Sequence, residues 1–158
     1  MRVLAAAATV LTVAAAAIVP AVLAQEPSRE PFAKDTRLDC AFTVTVAGTW
    51  VNGAPRAEVT RGAVVRFQIV DIDAAAGSAR VTLGAASEDV TARAAGGKLH
   101  VIDLRSSGSL AITTVFGEAG ATRFRAVHAL SDYHAYDRPG FSAIPQTEQS
   151  SGFCSIIQ

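Results

Sequence analysis

Along residues 41–51, Phe42, Val44 and Val46 alternate with Thr43 and Thr45, the period of a half-buried strand. Asn52-Gly53 follows as a two-residue hairpin signal, and its partner strand is predicted through residues 57–60. Residues 63–72 continue the pattern, with Val65, Phe67 and Ile69 on one face and Arg66 and Gln68 on the other, up to a turn over 73–77. Ala79, Val81 and Leu83 alternate with Arg80 and Thr82. Residues 87–95 fit either a strand or a short Ala-rich helix, and the Gly96-Gly97 turn after them favours a strand. Further strands are predicted over 99–104, 110–116 and 122–130, separated by Ser106-Ser107-Gly108-Ser109 and Gly117-Glu118-Ala119-Gly120.

Seven or eight short strands at roughly ten-residue spacing, with no crossover helix between them, predict an all-β fold. The two architectures that fit are an antiparallel up-and-down barrel of about eight strands and a β-sandwich. In a barrel, Phe42, Val44, Phe67, Ile69, Val101, Ile112 and Phe124 are the expected interior. Residues 138–158, with Arg138-Pro139-Gly140, Pro145 and a polar run to Gly152, read as an irregular tail.

The first residues carry an address. Arg2 precedes an unbroken run of apolar residues and Thr over 3–19, Pro20 interrupts it, and Val22-Leu23-Ala24 has the small-residue pattern of a cleavage site. A signal peptide over 1–24 is expected, leading to the periplasm or the medium. An extended leader over 25–37 and a single domain over 38–158 follow it, with no transmembrane segment after cleavage. Formal charge is zero, with 14 basic and 14 acidic residues, and the two lysines, Lys34 and Lys98, lie far apart. Nucleic acid is therefore not an expected partner, because its recognition concentrates cations on one face. The two cysteines, Cys40 and Cys154, are expected to form a disulfide in an oxidising compartment, tying the first strand to the tail.

Gly48-Thr49-Trp50 and Ser131-Asp132-Tyr133-His134-Ala135-Tyr136 resemble, in order and spacing, two signatures of the lipocalins, β-barrels of the calycin class that carry small apolar ligands. The resemblance implies that Trp50 packs across the closed end of a barrel, covered by Arg123 or Arg125 through a cation–π contact. Gly48-Thr49-Trp50 ends its strand in this chain, whereas the family's motif leads into one. Leu38-Asp39-Cys40-Ala41-Phe42 and Gly152-Phe153-Cys154 also resemble the ends of small exported bacterial β proteins of unknown function, a likeness that supplies no mechanism.

Chemistry-bearing residues are sparse. His100, His128 and His134, with Asp103, Asp132 and Asp137, form the one candidate metal set. His128 and His134 stand ~20 Å apart on a continuous strand, however, far beyond ligand bonds of ~2.1 Å, so hydrogen-bonded or solvated histidines are expected instead. Asp71-Ile72-Asp73 starts like a calcium loop, but Ala75, Ala76 and Thr82 stand where an oxygen ligand, a Gly and a Glu belong. Turn-forming aspartates are the expectation there. Ser107-Gly108-Ser109 lacks the Gly-x-Ser-x-Gly elbow. No catalytic residue, metal ligand or cofactor is therefore assigned. The expected ligand or rim residues are Trp50, Phe67, Tyr133, His134 and Tyr136.

The function expected is that of an exported non-enzymatic β domain binding a small apolar ligand or an envelope protein. Two alternatives stand beside it: a structural or protein-interaction module without a cavity, and an enzyme whose residues meet only in space. The sequence leaves the oligomeric state open.

Overall fold

A computed structural model describes residues 32–118, 120–134 and 144–157. The predicted signal peptide, the first part of the leader and Tyr136 lie outside these residues. Eight strands follow one another: β1 Arg37–Val51, β2 Ala54–Asp73, β3 Ser78–Leu83, β4 Ala86–Ala95, β5 Lys98–Leu104, β6 Leu110–Phe116, β7 Arg123–His134 and β8 Ile144–Ile157. Each pairs antiparallel with its sequence neighbours, and β8 returns to β1, so the sheet is a closed up-and-down barrel and not a sandwich. Closure removes all but short lengths of free strand edge. Residues 86–95 are strand, as the Gly96-Gly97 turn suggested. Among the described residues no helix is long and apolar enough to cross a membrane.

Side chains alternate in and out of the barrel wall, so each strand contributes every second residue to the interior. At one end Leu38, Phe42, Ile69, Ile72, Leu99, Val101, Val115 and Phe124 are almost fully buried and fill the space. Cys40 and Cys154 sit among them, opposite one another in the β1–β8 register and joined by a disulfide. The leader contributes to this closed end. Phe32 is buried against Phe124 with ring centroids 5.3 Å apart, edge to face, and Lys34 pairs with Asp73 at 3.2 Å.

The structure departs from three expectations. Residues 144–157 are not an irregular tail but the long strand β8, which closes the barrel. Its inward positions are Gln146, Glu148, Ser150, Gly152 and Cys154, a series with no apolar period for a sequence pattern to detect. Val44 and Ile112 face outward, not inward. A bulge between Phe42 and Val44 reverses the alternation of β1, and on β6 the buried set is Ala111, Thr113 and Val115, which excludes Ile112. The remaining expected interior residues, Phe42, Phe67, Ile69, Val101 and Phe124, are buried.

Strand lengths are unequal, and this shapes the open end. β1, β2, β7 and β8 have 12 to 20 residues, whereas β3, β5 and β6 have only 6 or 7. The β1–β2 hairpin therefore projects beyond the wall, turning at Asn52-Gly53 with φ of 52° and 77°. Positive φ at both turn residues is the type I′ geometry that Asn-Gly favours. Pairing of β2 with β3 begins only at Gln68↔Thr82, so the wall parts above that level.

Candidate functional site

Where the wall parts, a cavity of about 760 Å³ opens into the barrel. Phe67 and Val65 of β2, Val81 of β3, Val101 of β5 and Ala111 of β6 supply its apolar surface. Glu88 on β4, Asp103 and Arg105 at the end of β5, Thr113 on β6 and His128 on β7 supply its polar surface. The division follows from alternation along the short strands: continuing inward from Val101 gives Asp103 and then Arg105, so the interior grades from apolar floor to charged rim.

His128 stands at that boundary. Its ring centroid lies 5.2 Å from that of Phe67 and 5.6 Å from that of Phe42, and its Nδ1 shares a hydrogen bond of 2.9 Å with Thr113 Oγ1. Burial pushes the imidazole pKa below the ordinary histidine value and the Arg105 guanidinium pushes the same way, against the opposing pull of Asp103 and Glu148. The neutral ring is thereby favoured. Asp103, nearly buried, accepts a 3.0 Å hydrogen bond from Arg105 Nε, and Glu88 lies 4.0 Å from the same nitrogen. Around the rim, Ser109 Oγ donates to Asp132 Oδ1 at 2.7 Å, and Thr45 and Ser150 hydroxyls are bonded at 2.7 Å. Among the described residues every buried side-chain polar atom has a hydrogen-bond partner.

Of the residues expected at the site, Phe67 lines the cavity. Trp50 does not cross the closed end, as the lipocalin likeness implied; it is 40% exposed beside the projecting hairpin at the other end, and Arg123 stacks instead on Phe153, 4.0 Å from its centroid. Tyr133 and His134 belong to the last residues of β7, in register with Pro145 and Ile144. Cys40 and Cys154 form the expected disulfide. His100 lies on the outer face, hydrogen-bonded to Thr114 at 3.1 Å, and so points away from the cavity that holds His128. Of the aspartates in the calcium-like segment, Asp73 builds the turn after β2, whereas Asp71 lies within β2 at its irregularity. Asp73 Oδ1 accepts from Ala76 N at 2.8 Å, and Asp71, at φ 52°, pairs with Arg80 at 3.1 Å.

Thr113, Glu88 and Arg105 carry no candidate role in the sequence, and His128 and Asp103 stand there only as members of a metal set. Their signal was parity: each falls on the inward series of its strand, but a polar residue on an inward series reads as a break in the pattern until the strand is known to reach the mouth. No protein-family model matches the chain, and no curated protein matches it either.

Proposed function

We propose that the chain is an exported, non-enzymatic binding protein that takes one small ligand, with an apolar body and a hydrogen-bonding head, into the open end of its barrel. The observation that carries this reading is the graded cavity. A volume of about 760 Å³ with Phe67, Val81 and Val101 below and Thr113, His128 and Asp103 above matches the usual makeup of small-molecule sites, apolar walls with a few placed polar groups. The buried disulfide supports export, since such bonds persist in oxidising compartments. The polar groups are arranged to hold a ligand: the Asp103 carboxylate is held by Arg105 and the His128 ring by Thr113, so each is fixed in orientation.

Native mass spectrometry of protein purified gently from its own host tests the proposal, together with uptake of an environment-sensitive apolar dye. A discrete added mass, or dye fluorescence that is reduced in Ala111→Phe, is expected, because Ala111 lines the cavity and a phenyl ring there takes up part of its apolar floor. A bare mass together with no dye uptake by the unmutated protein would overturn the carrier reading.

A further inference from the structure

We propose that two copies of this chain associate by antiparallel pairing of the free edge of β2 about a two-fold axis at Val59. Residues 54–62 of β2 are all exposed and pair with β1 on one side; on the other side, among the described residues, β2 has no partner before Gln68. The phase of this edge follows from the hairpin. Val51 and Ala54 flank a two-residue type I′ turn and therefore exchange both backbone hydrogen bonds. Bonded and non-bonded pairs alternate from there, so Trp50↔Pro55, Gly48↔Ala57, Val46↔Val59 and Val44↔Arg61 are pairs whose β2 members turn their backbone groups to the free edge. Pro55 fits this phase, because a residue without an N–H is tolerated where β1 asks for none.

The usable edge is short and symmetric. Pro55 ends it on one side, having no donor, and the irregularity opposite Phe42/Val44 ends it on the other, after Arg61. Ala57, Val59 and Arg61 remain, with Val59 at the centre. Antiparallel pairing with a second copy then sets Val59 against Val59 and Ala57 against Arg61 in both directions, giving about six backbone hydrogen bonds, two per bonded pair. Between them Glu58 meets Thr60 and Arg56 meets Gly62, so no like charges are opposed. Moving the axis to Glu58 would oppose two carboxylates and set Arg61 against Pro55, which has no donor. Side chains agree with the backbone: Val46 and Val59, 40% and 55% exposed, share a face, so pairing forms one apolar row Val46–Val59–Val59–Val46 across both chains. The antiparallel direction carries each barrel away beyond the other's hairpin tip and sets that tip near the level of Val64, at the edge of the partner's cavity. Such an interface is isologous and closed, and it covers the edge that closure of the barrel leaves uncovered.

Light scattering coupled to gel filtration of the oxidised chain, over a range of concentrations, tests this. A two-chain mass is expected at high concentration. Val59→Pro should halve that mass while leaving the strand spectrum unchanged, since the Val59 N–H makes no bond to β1. Val59→Lys, which sets two ammonium groups against each other at the axis, should do the same if the proline variant folds poorly. A one-chain mass at every concentration, including the case of an edge reserved for another protein's strand, would overturn the proposal; so would a dimer that both variants leave intact.

Discussion

Cys40 and Cys154 face each other across the seam where the last strand meets the first, with Cα atoms 4.0 Å apart and both residues fully buried. The bond thus locks the one strand pair that joins the two ends of the sequence, 114 residues apart. In the chain-entropy model, cross-linking a loop of that length stabilises the fold by about 4–5 kcal/mol. Replacing both cysteines by Ala should lower the unfolding free energy by an amount of that order in urea denaturation, and thiol titration of the denatured, unreduced protein should find no free thiol. Two reactive thiols in fresh protein would contradict the bond.

The neutral His128 predicts how stability depends on pH. Its folded pKa is depressed, so in the window below the ordinary value of about 6.5 the unfolded chain binds a proton that the folded chain does not. The contribution is complete above that value and is lost as pH falls through the window. The melting temperature should therefore decline on acidification before the carboxylates titrate. The paired variant His128→Phe, Thr113→Val, which removes the imidazole without stranding the hydroxyl, should flatten that slope. An unchanged slope would assign the decline to other groups.

Gly152 tests the β1–β8 register. A Cβ built there runs into the carbonyl oxygen of Ala41 and the Cα of Phe42, next to the bulge. Backbone cannot yield as a flexible side chain does, so Gly152→Ala should destabilise by about 1–3 kcal/mol or more, the range for overpacked sites. Gly53→Asn, in an open turn with nothing near the added Cβ, is the mild comparison, because Asn tolerates positive φ. Equal denaturation midpoints for the two variants would argue against the close approach.

Phe32 tests whether the leader is part of the domain. Its ring is 3% exposed and closes the apolar end over Phe124. Phe32→Ala should cost about 3–5 kcal/mol, the usual range for a buried phenyl ring removed from a core. A chain that loses nothing would place Phe32 outside the folded unit.

Local pattern alone was enough for the all-β class, most strand positions, the Asn52-Gly53 hairpin and the disulfide, because these rest on a period of two, turn chemistry and a single cysteine pair. It failed where inward and apolar cease to mean the same thing. β8 was illegible because its inward residues near the mouth are Gln146, Glu148 and Ser150, and because Gly152 is required there by the nearness of the β1 backbone and not by a turn. Val44 was misassigned because one bulge residue flips every later side chain on β1 to the other face, and nothing in the neighbouring residues marks it. The cavity was beyond reach for a related reason. His128, Thr113, Asp103 and Glu88 come from four strands, and which residues meet depends on register and on the level at which β2 leaves β3. Sequence determined the strands; only closure of the sheet decided which of their polar residues would share one interior.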